Sequence, residues 1–240
     1  MELAKQCLDV GIFTNRIDAM RAFYGERLGL EFESMLPVGG GFRQHRYLAH
    51  GSVIKLNESR EPLRPRIPGG YSAIRIVDSK VTTPQAMLDP DGNSVELVPP
   101  GHEGVGQIEL RLGVGDPATF ENFLAQALGA ERIGAGRFKL GQTIVSFKLD
   151  AYTVHPADSP PFTNALEVVS RMAAVGIRYM TIQVRDCDAA NRELTSRGAR
   201  PALAPVNLGT VARICFVRDP DGNMIEISQR AGLGNPLPAA

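Results

Sequence analysis

The chain has 240 residues, with 26 Lys and Arg against 26 Asp and Glu and a formal charge of zero. That length suits one large domain or two compact ones, and the charge balance offers no electrostatic footprint for nucleic acid or an anionic membrane. Hydrophobic residues at 43% beside charged residues at 22% exclude disorder and collagen-like structure.

No apolar run is long enough to span a membrane, and the N-terminus lacks a basic segment followed by an apolar one, so the chain reads as cytoplasmic. Cys7, Cys187 and Cys215 are odd in number and form no C-x-x-C pair. They read as reduced core thiols, and neither a disulfide framework nor a zinc knot is indicated. A small molecule or another protein is the expected partner.

In chain order, a strand-like run from Leu8 to Phe13 precedes a helix with Ile17, Met20, Tyr24 and Leu28 on one face, ending at Gly29. The same order returns in Ile108 to Leu112, then Asp116 and Pro117 as cap and first turn, then Phe120, Phe123, Leu124, Ala127 and Leu128 as the buried stripe. Asp89-Pro-Asp-Gly-Asn-Ser-Val-Glu96-Leu likewise returns as Asp219-Pro-Asp-Gly-Asn-Met-Ile-Glu226-Ile, each copy a tight turn between β-type runs.

Four units follow, in which a strand leads to a helix and then to further strands. They run over Leu8 to Asn57, Tyr71 to Pro99, Gln107 to Asp150 and Arg178 to Arg230. Unit two is shorter than unit four by about one helix plus one strand, so its helix is expected to be absent. An uncovered flank there would be closed by packing of the halves or by dimerisation. Asn164 with Glu167 three residues on predicts a helix from about Asn164 to Ala174.

Leu-Asp-Val-Gly-Ile, Ala22-Phe23-Tyr24, Leu28-Gly29-Leu30 and the two DPDGNxxE segments resemble the glyoxalase, bleomycin-resistance and extradiol-dioxygenase group, the vicinal oxygen chelate superfamily. The resemblance implies an α+β fold of tandem βαβββ modules, each pair curling into an open barrel of eight strands around a pocket. Residues 1–100 and 104–240 are the two expected barrels.

The resemblance also implies a divalent cation held by histidines on first strands and a glutamate on a last strand. Glu96 and Glu226 match the glutamates, but Asp9, Tyr71, Gln107 and Tyr179 stand where histidines are expected. His45, His50, His102 and His155 lie elsewhere. No tightly bound metal is therefore expected, with Fe, Mn or Zn at an irregular site as the alternative.

Strand alternation puts Glu96 and Glu226 on the concave face, together with Gln107, Glu109 and Arg111, and with Tyr179, Thr181 and Gln183. Lys55 alternates with Ile54 and Leu56 and is expected beside Glu96, an ammonium in the electrostatic place of a metal; the register of Lys148 is open. The Arg60, Arg64 and Arg66 cluster reads as a solvated loop or as a greeting for an anionic substrate. No phosphate loop, G-x-S-x-G elbow or Cys–His pair is legible.

Two functions remain open. One is an enzyme of the glyoxalase or dioxygenase type acting on a small oxygen-rich or aromatic molecule, with Glu226 as base or as surviving ligand of an irregular metal site and Tyr179 and Gln107 as hydrogen-bonding partners; Asp9, Lys55, Tyr71, Glu96, Glu109, Thr181 and Gln183 are candidate substrate contacts. The other is a bleomycin-resistance-like binding protein without turnover.

Overall fold

The computed structural model describes residues 1–67, 70–150 and 160–238. Module one comprises β1 (Asp9–Thr14), α1 (Ile17–Arg21, continuing as a wide turn over Ala22–Arg27), β2 (Glu31–Gly39), β3 (Phe42–Ala49) and β4 (Ser52–Ser59). Module two has only β5 (Gly70–Val77), β6 (Gln85–Leu88) and β7 (Ser94–Val98). Module three comprises β8 (Ile108–Val114), α2 (Pro117–Asn122, continuing over Phe123–Ala127), β9 (Glu131–Gly134), β10 (Arg137–Leu140) and β11 (Thr143–Leu149). After α3 (Ala165–Met172), module four runs through β12 (Gly176–Gln183), α4 (Cys187–Ser196), β13 (Arg200–Leu208), β14 (Ala212–Arg218) and β15 (Met224–Arg230).

The expected absence in module two holds. Between β5 and β6 the chain makes turns rather than a helix, and Val81 of that stretch is buried in the common core. The helix predicted from Asn164 also forms: the Asn164 side chain accepts from the Glu167 backbone N–H, and the Glu167 carboxylate reaches back to Thr163. Asp116 and Pro117 open α2 as expected. In α1 and α2 the last turn widens, Leu28 N–H bonding Phe23 O and Leu128 N–H bonding Phe123 O, which brings the neighbouring pairs Phe23, Tyr24 and Phe123, Leu124 together into the core.

The strands form two sheets, one of order β13-β14-β15-β12-β1-β4-β3-β2 and one of order β6-β7-β5-β8-β11-β10-β9. The expectation that residues 1–100 and 104–240 each close one barrel is thereby corrected. Module one pairs with module four across β1 and β12, and module two with module three across β5 and β8. A repeat relating module one to three and two to four is satisfied equally by either pairing, so periodicity cannot choose between them. Local fit at the seam favours the observed one. A Cβ on Gly11 would lie 1.9 Å from a ring carbon of Tyr179, its partner across β1 and β12, so only glycine admits that ring.

Alternation along the strands sorts the side chains. Val10, Ile12, Ile54, Leu56, Met180, Ile182, Ile225 and Ile227 of the first sheet share one core with Ile74, Ile76, Ile108, Leu110 and Val95 of the second, and with Met20, Tyr24, Phe120, Leu124 and Leu194 of the helices. The backs of both sheets are thus covered within the chain, the first of the two options expected for the missing helix. Across the first sheet's other face lies a smaller cluster of Phe13, Tyr179, Ile214 and Phe216 with Val168 and Met172 of α3. That is the concave side.

The two DPDGN turns are superposable in their bonding. Asp89 Oδ1 accepts from the N–H groups of Asp91 and Asn93, and Asp219 Oδ1 from those of Asp221 and Asn223. Gly92 and Gly222 take φ of 79° and 87°, the left-handed conformation the turn requires.

Candidate active site in the first barrel

The concave side of the first sheet encloses a cavity of about 450 Å³. Its walls are apolar: Leu36 and Val38 from β2, Leu166 and Val169 from α3, and Phe13 and Phe216 from the sheet. Its floor is polar. Lys55 Nζ lies 2.8 Å from Glu226 Oε2 and 2.7 Å from Thr181 Oγ1, and the Thr181 hydroxyl donates to the same Glu226 oxygen at 2.6 Å. Sheet register brings the three together, since Thr181 and Glu226 are neighbours across β12 and β15 while Lys55 arrives from β4 beside β1.

Lys55 therefore pairs with Glu226, not with Glu96 as expected. The correction follows directly from the module pairing. The Lys55 ammonium also sits 5.5 Å from the centre of the Tyr179 ring, near enough for a cation–π attraction. The Tyr179 hydroxyl lies 3.3 Å from both the Gln44 and the Asn57 amide nitrogens. Burial and the nearby Glu226 carboxylate push its pKa up, so the phenol stays neutral and serves as a hydrogen-bonding group rather than a base.

Gln183 also lines the cavity, its Nε2 3.2 Å from Asp9 Oδ2, and its Oε1 is buried with no hydrogen-bond partner among the described residues. Asp9 lies behind that floor. It accepts from Lys5 Nζ at 2.5 Å and from the Val53 N–H at 2.9 Å, which makes it a structural anchor beneath the floor.

Four further candidates sit elsewhere. Gln107 joins the two halves through Ser52, Thr143 and the His50 carbonyl and does not reach Glu226. The Tyr71 hydroxyl, with its pKa driven up by burial, donates to the Met224 carbonyl between the sheets. Glu96 and Glu109 lie in the second barrel, where Arg75 takes the central place: its guanidinium is 2.5 Å from Glu96 and 3.1 Å from Glu109, and it also bonds Glu103. Burial opposes that charge, but the three carboxylates outweigh it and raise the arginine pKa above its usual value. Arg111 and Arg137 complete the cluster.

Sequence reading missed Arg75, although its place between Ile74 and Ile76 gives it the same concave parity as Glu96. It also missed Gln44, Arg46 and Asn57, which alternate on β3 and β4 toward the Lys55 face.

A divalent metal of the kind the resemblance implies does not fit these residues. At Glu226 the nearest neighbours are an ammonium and a hydroxyl, and at Glu96 a guanidinium, all of them donors to the carboxylate where a metal needs further lone pairs. Among the described residues no group of three or more His, Cys, Asp or Glu side chains is arranged to hold a metal. His45 pairs with Glu58 at 3.0 Å, His50 lies in the turn after β3 with its ring 2.6 Å from the Val77 carbonyl, and His102 sits in a short turn between modules two and three. His155 lies outside the described residues.

Tandem βαβββ modules curled around a polar-floored cavity define a glyoxalase-like fold. The family model of the Glyoxalase/Bleomycin resistance protein/Dioxygenase superfamily matches residues 104–227, just over half of the chain, and the protein belongs to that superfamily. Among solved structures it is similar to glyoxalase I from Zea mays, at 14% identity over 95% of this chain and 92% of the other, with a TM-score of 0.67. It is also similar to a putative dioxygenase from Bacillus subtilis, at 15% identity over 97% of this chain and 86% of the other, with a TM-score of 0.68. At such identities the likeness shows the fold alone. No curated protein matches the chain in sequence. No helix among the described residues is long and apolar enough to cross a membrane.

Proposed function

We propose that this chain acts, without a metal, on a small molecule with a largely apolar body and an oxygen-bearing end, bound in the barrel of modules one and four. The observation that carries the reading is the Lys55–Thr181–Glu226 triangle at the floor of an apolar-walled cavity. Apolar walls with a few convergent polar groups are the usual make-up of a small-molecule site.

In this reading the Lys55 ammonium donates to a ligand carbonyl oxygen. Glu226, whose Oε1 accepts from no described residue, takes a proton from the adjacent carbon. The enolate that results is stabilised by Lys55, and Glu226 returns the proton to the same or a neighbouring atom. Tyr179, Gln44 and Asn57 orient the polar end. A carboxylate already neutralised by an ammonium also suits a second reading, binding without turnover.

The test is deuterium exchange. Small ketones and hydroxy acids with aromatic or branched bodies are screened for binding by calorimetry, and each ligand found is incubated in D2O and followed by NMR. Turnover requires enzyme-dependent exchange next to the carbonyl that Glu226→Gln abolishes. Binding without exchange establishes the second reading, and the absence of any ligand protected by the cavity overturns both. Elemental analysis after chelator-free purification, with titration of Fe, Mn and Zn, tests the metal-free element; stoichiometric metal lost in Glu226→Gln would defeat it.

A further inference from the structure

On the far side of α3 from the barrel cavity lies a second cavity of about 230 Å³, to which Arg64, Arg171, Arg178 and Arg218 all contribute. Met172 lines both cavities. Arg218 is engaged by the Pro160 and Pro201 carbonyls; the other three guanidiniums around this small space repel one another unless something of opposite charge is supplied.

Among the described residues, no ion pair involves Arg64, Arg171 or Arg178. The contrast with Arg75 is direct, since that buried arginine is matched by three glutamates. Part of the compensation comes from the C-terminal end of α3, whose carbonyls carry partial negative charge. Arg64 donates to Ala173 O at 3.2 Å and to Arg171 O, and Arg178 Nε donates to Met172 O at 3.2 Å.

These bonds fix the guanidinium planes and leave donors over. Both terminal nitrogens of Arg178 and the whole Arg171 guanidinium meet no acceptor among the described residues. Burial, together with Arg64 and Arg66 nearby, pushes the Arg178 pKa down to about 10, which is the direction expected of a cation short of countercharge.

We propose that this cleft binds a phosphate-type oxyanion, free or as the terminal group of a small phosphate monoester, held by Arg171 and Arg178 on the side of their guanidiniums away from the α3 carbonyls. Guanidinium forks match the oxygen spacing of phosphate, and the backbone bond that fixes Arg178 reduces the entropy lost on binding. Because α3 also walls the barrel cavity, occupancy of the cleft stiffens one side of the proposed active site. The anion site itself does not depend on what the barrel binds.

Titration calorimetry of the full chain at low ionic strength, with inorganic phosphate in one arm and ethyl phosphate in the other, tests the proposal. Saturable binding of at least one is expected, weakened about tenfold or more in Arg178→Gln and in Arg171→Gln and unchanged in Glu226→Gln. Tighter binding of ethyl phosphate identifies a monoester as the ligand; equal or tighter binding of phosphate identifies the free ion. Arg171 is exposed, so its variant decides the matter even if Arg178→Gln fails to fold. No saturable binding in either arm, affinities unchanged in the arginine variants, or an effect of Glu226→Gln that places the anion in the barrel would overturn the proposal.

Discussion

Lys55 and Glu226 lie 171 residues apart in the chain, and each has the other as its ionic partner at the barrel floor. Removing one member of such a pair leaves a poorly solvated charge, whereas removing both leaves none. Lys55→Met is therefore expected to cost about 3 kcal/mol in urea denaturation and Lys55→Met with Glu226→Gln distinctly less. Equal or additive losses would mean that the two charges are independently solvated. At the seam, Gly11→Ala is expected to cost about 1–3 kcal/mol, because its methyl group meets the Tyr179 ring and the strand pairing leaves the ring little room to withdraw. A wild-type denaturation midpoint in that variant would show that the ring is free to move.

Among the elements, the turn 219–223 carries a buried carboxylate. Burial pushes Asp219 up to about 7, against the hydrogen bonds from Asn223 that pull it down and with Asp221 adding to the rise. A carboxyl whose folded pKa exceeds its unfolded value of about 3.9 binds its proton more tightly when folded. Its ionisation consequently lowers stability as pH rises from about 4 to 7, by up to about 1.4 kcal/mol per pH unit. Asp219→Asn retains an acceptor for the Asp221 and Asn223 N–H groups and removes the proton, so its stability should lose this slope. Parallel wild-type and Asp219→Asn stability curves between pH 5 and 7 would assign the slope elsewhere.

These elements also mark how far sequence reading reached. Helix caps at Asp116 and Asn164, the turns at Asp89 and Asp219 and the alternation that put Thr181, Gln183 and Glu226 on one face were all legible, because each depends on residues close in sequence. The partner of Lys55 was not. Parity says which face a side chain occupies but not which strand lies beside it, and the choice between Glu96 and Glu226 rests on long-range seam contacts such as Gly11 with Tyr179. The apolar cavity walls escaped notice for a related reason: Leu36 and Val38 on β2 and Leu166 on α3 look like ordinary solvent-side residues until the hairpin and the helix meet over the barrel.

For the whole molecule, the crossed pairing has a consequence that two self-contained barrels would not share. Each sheet takes strands from both halves of the sequence, and the backs of both sheets enter a single core. A chain cut between modules two and three, giving residues 1–103 and 104–240, leaves β1 without β12 and β5 without β8 in each fragment. It also exposes the strand edges and apolar faces that those partners cover. Neither fragment alone is expected to unfold cooperatively, and mixing them should restore the fold, because every seam contact is regained without the covalent link. Circular dichroism melts of the separate and mixed fragments, with size exclusion to follow assembly, check this. A fragment of residues 1–103 that melts cooperatively as a monomer would show that modules one and two can close a barrel by themselves. A cooperative homodimer of one fragment would show instead that like modules can substitute across the seams, which is the other pairing permitted by the internal repeat.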